Sequence, residues 1–329
     1  MMKAQRGVAL LVVMLILAVM MMVAATISSR FQSALFRTSN LVNMTQARWY
    51  AYGSEALVTK VLNQDIKDSP QVTHLGQYWA SPNQVFPVDG GQISGQVVDA
   101  QACFNLNTLG APQSGLKPGE LPFAGLVFKQ LLVQLKVDEF EAEQVTAALI
   151  DWLDSDDTLF SSLGAEDAWY QSLKVPYLAA NNMMNDVSEL RMVRGITPAL
   201  YRRLAPLVCV LPVRDLKFNV NTIRDSQAPL LAALFLGRME NDVALDLIQQ
   251  RPKDGWKDIN DFKGMEQVKS AVAGQGEVSK IYAASDIVSS YFEARMLVEV
   301  DTIQLRVNSL FKRNNNKVSV IRRQYGGQE

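Results

Sequence analysis

Residues 8–27 read VALLVVMLILAVMMMVAATI, apolar throughout except for Thr26. At the rise of an α-helix this run spans roughly 30 Å, the thickness of a bilayer's hydrocarbon core. The seven residues ahead of it, MMKAQRG, carry Lys3 and Arg6, and the next charge is Arg30. Basic residues stay on the cytoplasmic side, so the pattern predicts one span with a cytoplasmic N-terminus. Beyond the span the polarity turns periodic. Phe31, Leu35, Val42, Trp49 and Ala56 fall four or seven residues apart, along one helical stripe, and Arg30, Arg37, Gln46, Arg48 and Lys60 fill the remainder. Gly53 is the one glycine within residues 31–63 and no proline precedes Pro70. The expectation is one unbroken helix of about 55 residues, roughly 80 Å long, running from membrane into solvent.

After the helix the period changes to two. Residues 85–88 and 92–99 (QISGQVVD) alternate like strands around an Asp89-Gly90-Gly91 hairpin turn, and Cys103-Phe-Asn-Leu-Asn continues the pattern. Near the C-terminus residues 291–300 and 302–311 alternate again, 312–316 (KRNNN) reads as a polar turn, and 317–325 as a last strand. Residues 116–282 between these strands are mostly helical in pattern. A sheet begun before residue 110 and finished after 285 implies an α+β body with a helical domain inserted into it. The insert repeats itself. Phe104-Asn-Leu-Asn-Thr-Leu109 returns as Phe218-Asn-Val-Asn-Thr-Ile223, and the segment 187–195 (VSELRMVRG) is echoed at 259–264 (INDFKG). Such echoes mark two similar units packed together, here SAM-like or helix-hairpin-helix-like. Elsewhere such hairpins hold DNA, and Arg191, Arg194, Arg202 and Arg203 lie close by. A structural hairpin is the preferred reading, and Phe104 and Phe218 are expected in the core with the asparagines closing turns.

Charge argues the same way. With 32 Lys+Arg against 33 Asp+Glu the formal net charge is -1, whereas a chain that grips phosphate backbones carries a basic excess. Nucleic acid is therefore excluded as the main partner. His74 is the single histidine, which excludes His-based triads and poly-His metal sites. No P-loop occurs, so any ATPase that drives this chain is another protein. Cys103 and Cys209 are too far apart for a CxxC motif. On export they could pair in an oxidising compartment; two unpaired buried thiols are the other reading.

One stretch carries chemistry. Between Lys136 and Lys174 there is no Lys or Arg but there are ten carboxylates, centred on Asp151-Trp-Leu-Asp154-Ser-Asp156-Asp157 and Ala165-Glu166-Asp167. Charges of one sign so dense repel unless a cation or water intervenes. Asp-x-Asp on a turn with a Glu about ten residues later suits Ca²⁺, a hard ion that takes six to eight oxygens. It is not an EF-hand, which would need Gly near Leu159 and Glu at position 165. The competing readings are a solvated acidic loop and a paired-carboxylate hydrolase using Asp154 and Glu166; no polar substrate-binding set accompanies the second. Trp152, Trp169, Tyr170 and Tyr177 read as packing around the loop.

Three readings compete for the N-terminus. Ala24-Ala25 offers a weak small-residue site for an ordinary signal peptide, and a plain anchor needs nothing further. In the third, the short basic leader that ends in Gly7 before an apolar helix resembles the class III signal of type IV pilins and pseudopilins. That resemblance implies cutting by prepilin peptidase between Gly7 and Val8 and methylation of the new Val8 amine. It also exposes a departure: most such chains carry Glu at the fifth mature position, and here that residue is Val12. A carboxylate in a bilayer is kept only where it has a partner, so its absence implies a subunit with no neighbour ahead of it.

The whole pattern, from leader through the FNLN and NVNT boxes and insert to the last strands, resembles the K-type minor pseudopilin (GspK) family of type II secretion systems. The resemblance implies a pilin-like long helix packed on an antiparallel sheet with a large inserted helical domain. The expected boundaries are leader 1–7, transmembrane helix 8–29, pilin-like first part 30–110, insert 111–284 in units of about 111–210 and 211–284, and C-terminal strands 285–329. It implies a non-enzymatic subunit at a periplasmic pseudopilus tip, anchored in the inner membrane, with I- and J-type minor pseudopilins, other pseudopilins and the inner-membrane secretion platform as partners. It implies calcium in the insert, with Asp154, Asp156 and Glu166 as leading ligands and Asp151 and Asp167 as further ones. The rival expectations are a minor pilin of a type IV pilus or competence filament and a monotopic enzyme with a plain anchor.

Overall fold

The computed structural model describes residues 8–111, 115–117, 119–315 and 317–326. The leader with Gly7 lies outside the described residues. Helix α1 (Val8–Asp68) is unbroken over 61 residues, about 90 Å. Among the described residues it is the one helix long and apolar enough to cross a membrane. Strands β1 (Gln84–Val88) and β2 (Gly91–Asp99) form a hairpin through Asp89-Gly90. Residues 100–290 then carry β3 (Phe104–Asn105), α2 (Phe123–Gln134), α3 (Glu139–Leu153), α4 (Asp167–Gln171), α5 (Pro198–Leu204) and β4 (Val208–Cys209). They continue with β5 (Phe218–Asn219), α6 (Ala228–Leu234), α7 (Asn241–Gln249), α8 (Ile259–Lys263), α9 (Glu266–Val272), α10 (Val278–Ala284) and β6 (Ser285–Asp286). Strands β7 (Tyr291–Val300), β8 (Ile303–Asn314) and β9 (Lys317–Tyr325) close the chain. The result is an α+β, pilin-like body: a long helix on a five-stranded antiparallel sheet of order β1-β2-β7-β8-β9, with a mostly helical insert between β2 and β7.

The sheet alternates as a half-buried sheet should. Phe292, Ala294, Met296, Val298 and Val300 of β7 face α1, together with Leu305, Val307 and Phe311 of β8 and Val318 of β9. The facing side of α1 is Ala47, Ala51, Glu55, Leu62, Asp65 and Ile66. This corrects the stripe expected from sequence. Phe31, Leu35, Val42 and Trp49 are each more than half exposed, and Ala56 is exposed as well. Ala47 and Ala56 are nine residues apart, and at about 100° per residue that is half a turn. Small residues let the helix approach the sheet closely, so the bulky apolar positions face the other way. Two further differences are local. The strand pattern after Cys103 lasts only through Asn105, because the Asn105 side chain accepts from Asn107 N and curls residues 106–110 into a helical turn. Lys312 to Asn314 pair as strand, so the last turn is confined to the residues after them.

The alanines at the upper end of this face are too smooth to set register, and polar pins do so there. Arg323 of β9 forms a bidentate pair with the buried Glu55 carboxylate, which also accepts from Ser309 Oγ. The same guanidinium stacks 4.6 Å from the Tyr52 ring centroid. Asn63 Oδ1 accepts from Val318 N at 2.9 Å, and Asp65 Oδ2 from Trp79 N at 3.1 Å. Gly91 is obligatory where β2 meets β7: a Cβ there would lie 1.8 Å from Glu299 O.

The insert has one hydrophobic core that draws on both repeat units. Phe104 and Phe218, at most 1% exposed, sit with ring centroids 6.4 Å apart. The two Asn boxes make the same grip. Asn107 brackets Met184 (2.8 Å from its N, 3.0 Å to its O), and Asn221 brackets Trp256 (2.8 Å from its N, 3.0 Å to its O). Each gripped residue lies three positions before the helical turn of its hairpin, Val187–Met192 or Ile259–Lys263. A disulfide joins Cys103 to Cys209 beside the parallel β3–β4 pair.

Removing one partner of a buried ion pair strands the other. Arg323→Ala leaves Glu55 buried and is expected to cost about 3 kcal/mol. Glu55→Ala should cost less, because Arg323 keeps 29% of its side chain in water. Chemical denaturation of the full chain in detergent measures both, and equal losses would contradict this account of α1 docking.

Candidate metal centre

The acidic segment is built at the wrong end of a helix for negative charge. Asp138 caps α3, accepting from Phe140 N and Glu141 N, and the helix then delivers Asp151 in its last turn with no basic residue beside it. Helix C-termini carry partial negative charge, so carboxylates here lose rather than gain from the dipole. Asp151 is fully buried and closes the following loop on itself: Oδ1 accepts from Phe160 N at 2.7 Å and Oδ2 from Ala165 N at 2.6 Å. Gly164 has to be glycine, since a Cβ would fall 2.0 Å from Asp151 Oδ2.

The loop gathers Asp151, Asp154, Asp156, Asp157 and Glu166 close enough for each to act on others electrostatically. Burial, reinforced by Asp156, pushes the Asp151 carboxyl up to about 6. Burial with Asp156 and Asp151 pushes Asp154 up to about 7. Burial with the four aspartates pushes Glu166 up to about 8. Glu166 is only 5% exposed, and neither of its oxygens meets a hydrogen-bond donor among the described residues. Asp154 Oδ1 is in the same condition. Asp156 is exposed and accepts from Thr158 N. Asp167 lies apart in role: its Oδ1 accepts from Ala179 N at 2.9 Å.

Acceptor oxygens that are buried, mutually repelling and without donors fit a cation, since burying a carboxylate unpaired is costly. The donor set is all oxygen, which suits a hard divalent ion of the calcium type. Among the described residues no three carboxylates already stand at metal-closing distance. Binding would therefore draw Asp154, Asp156 and Glu166 inward around a loop that Asp151 already shapes. Sequence reasoning passed over two residues: Asp157, and Asn181, whose Nδ2 donates to Asp157 Oδ1 at 2.8 Å while its own Oδ1 is buried without a donor. Only contact across 24 residues brings Asn181 here, so spacing gave no signal.

The aromatics wall the loop rather than bind a ligand. Tyr170 is fully buried, edge-on to Trp152 at 5.2 Å and to Trp169 at 4.9 Å. Three of the four arginines near the first hairpin are engaged inside the protein. Arg194 donates to Gly164 O and lies over Trp169, Arg203 donates to Leu135 O, and Arg191 lies over Tyr201. Of these, Arg194 bolts the hairpin to the acidic loop and Arg203 bolts it to the end of α2.

Comparison with known proteins agrees along the chain. The family described as type II secretion system (T2SS), protein K matches residues 102–213 and 218–279 in two successive segments. The type II secretion system protein K of Aeromonas hydrophila is 46% identical over 337 residues, covering 99% of each chain. That of Dickeya chrysanthemi is 41% identical over 358 residues, covering 99% of this chain and 98% of the relative. A chain in the crystal structure of the GspK-GspI-GspJ complex from the enterotoxigenic Escherichia coli type 2 secretion system is 34% identical, with a TM-score of 0.80. That match covers 89% of this chain and 100% of the other. Joined to a pilin-like body with a span-length N-terminal helix, these similarities mean that the chain belongs to the type II secretion system protein K family of minor pseudopilins, components of a secretion apparatus rather than enzymes.

Proposed function

We propose that the chain caps and initiates the tip of a periplasmic pseudopilus, together with I- and J-type minor pseudopilins, in support of protein export. The observation that carries this reading is the outer flank of α1. Phe31, Leu35, Val42 and Trp49 lie along one stripe and are all more than half exposed on the part of the helix that has left the membrane-length apolar run. A continuous ridge of large apolar side chains marks a protein–protein surface. Helices of sister subunits have the shape and chemistry to cover it. The solved complex that contains a similar chain is named for GspI and GspJ, which supports those two as the partners. Val12, which brings no carboxylate for a subunit ahead, and the bulk of residues 100–290 both favour the tip position. Lys3 and Arg6 favour a cytoplasmic N-terminus with the body across the inner membrane, in reach of other pseudopilins and the secretion platform. Prepilin peptidase would cut between Gly7 and Val8, leaving Val8 to be methylated.

The acidic loop enters this reading as a structural calcium site held by Asp154, Asp156 and Glu166 around Asp151, with Asp167 in support through its hold on Ala179. Bound there, Ca²⁺ would supply positive charge that the α3 C-terminus lacks. In its absence the raised carboxyls set a pH dependence. Asp151, Asp154 and Glu166 bind protons more tightly folded than unfolded, so their contribution to stability is complete below about pH 4 and is lost as pH climbs through about 6 to 8. His74, which burial shifts down, works in the opposite sense and is the smaller effect of one group against three.

Three outcomes are expected. Purified with I- and J-type minor pseudopilins from detergent-solubilised membranes, the full chain should retain both, and Trp49→Asp should lose them without loss of its own fold. The mature N-terminus read by mass spectrometry should be methylated Val8; a start near Thr26 would remove the anchor and the tip reading with it. In chelator, the melting temperature should fall between about pH 5 and pH 8, and Glu166→Gln should flatten that fall. Calcium at a hundred times its dissociation constant should add about 2.7 kcal/mol at neutral pH. A profile that rises with pH and no calcium response in calorimetry would count against the site.

A further inference from the structure

The sheet has a second face, turned away from α1, and the insert overhangs it without closing onto it. Val97, Ala294 and Val307 pack towards α1, so their neighbours Gln96, Arg295 and Asn308 point the other way. Between that face and the insert lies a cleft of about 1350 Å³. Struts hold it open. Arg322 of β9 donates to Asn185 O at 2.7 Å and to Val210 O at 3.2 Å, and Gln324 Nε2 donates to Asp186 Oδ2 at 3.0 Å. The Cys103–Cys209 bridge stiffens the same lining, in which the acidic loop takes no part.

The floor of the cleft is a row of planar polar side chains. Gln96 on β2 stands opposite Arg295 on β7, Arg295 opposite Asn308 on β8, and Asn308 opposite Gln324 on β9. At about 4.8 Å per strand the row is roughly 14 Å long. Val98 and Leu297 line the cleft on either side of it. The Arg295 guanidinium is already paired with Glu293, Nε to Oε2 at 2.8 Å, so the row carries little free charge. Gln96 and Asn308 are half-buried, and among the described residues their side-chain amides have no hydrogen-bond partner. Each amide both donates and accepts.

A ligand that fits this floor donates and accepts along its rim, has apolar faces to lie on Val98 and Leu297, and brings no strong charge. Sugar rings are made in that way, with hydroxyls around the edge and C–H groups on the faces. An extended peptide fits less well, because β2, β7 and β8 are paired on both sides and have no backbone groups left to offer it. The cleft also exceeds the roughly 300–1,000 Å³ of sites for single small molecules, which favours several rings over one. We propose that the cleft binds a neutral oligosaccharide laid along this row. The struts and the disulfide set its walls beforehand, so binding requires little reorganisation.

The full chain, in a detergent without a sugar headgroup, is titrated calorimetrically with maltopentaose, cellopentaose and the tetramer of N-acetylglucosamine, and with hexaglutamate as the peptide arm. At least one of the sugars should bind at millimolar concentration or below, and hexaglutamate should not. Gln96→Ala and Asn308→Ala should each weaken that binding about tenfold, the effect of one lost hydrogen bond. The melting temperature should stay that of the wild type, since neither side chain holds another part of the protein. Without any substitution, saturation with the sugar should shift the methyl resonances of Val98 and Leu297. If none of the sugars binds, the proposal is wrong. It is equally wrong if a sugar binds and those methyl resonances stay still, or if both substitutions leave its affinity intact. Hexaglutamate binding more tightly than any of the sugars would make the cleft a site for acidic peptide and overturn it too.

Discussion

The chain leaves its sheet at the end of β2 and must return in the strand beside it. Strands β2 and β7 pair along their whole length, with Asp99 opposite Phe292, although residues 100–290 separate them in sequence. Neighbouring strands lie about 4.8 Å apart, so the whole insert hangs from two ends held at that spacing. Asp99 makes the hold. Its Oδ2 accepts from Thr222 Oγ1, Asn219 Nδ2 and Ser289 Oγ, and its Oδ1 from Gln101 N. Burial raises its carboxyl above the usual range, and four donors pull the other way. The same knot reaches the segment after α1, since Asn219 Nδ2 also donates to Thr73 O and Thr73 N donates to Ile287 O. Helix, sheet and insert meet at one carboxylate, and the orientation of the acidic loop relative to the rod follows from it.

Within the insert the repeat explains which half bears chemistry. Both units use the box Asn to grip the residue before their hairpin, so both hairpins are held at equivalent points. Only the first has an acidic helix end packed beside it. There Arg194 joins hairpin to loop through Gly164 O, next to the carboxylate that closes the loop. The Cys103–Cys209 bridge fixes the two ends of that first unit to each other, with Cα atoms 5.7 Å apart. The carboxylates of the acidic loop come from α3, from the turn after it and from the start of α4, and holding them together needs such a frame.

Much of this was legible in the chain. The rod, the two hairpins, the sheet split by an insert and the doubled FN-N boxes each have a local signature, whether of period, turn residue or repetition. The acidic loop was legible as a cluster too, since ten carboxylates in a stretch without a base stand out. Most of what escaped depends on contact between residues remote in sequence. Asn181 reaches Asp157 only because the segment after α4 folds back on the acidic turn, and the Asn boxes turned out to grip distant backbone where only turn closure was expected. The packing face of α1 escaped for a different reason. A search for large apolar side chains finds Phe31 and Trp49 and passes over Ala47 and Ala51, yet alanine is what allows a helix to lie flat against a sheet.

That inversion of the helix has a mechanical consequence. Were the bulky face turned inward, it would fix register by interlocking with the sheet. The alanine face cannot, and a slip of one turn would move the rod about 5.4 Å along its axis. The pins at Glu55, Asn63 and Asp65 prevent such a slip because each matches a fixed position on the sheet or its flank. Glu55 in particular is buried at a desolvation cost that an apolar residue would avoid, so its bidentate pair with Arg323 is better understood as specifying register than as adding stability. Register in turn decides how far the apolar run projects below the sheet, and hence the height at which the body stands above the membrane. In the tip assembly proposed above, where the outer flank meets neighbouring helices at matched depth, that height is what the buried charge would secure.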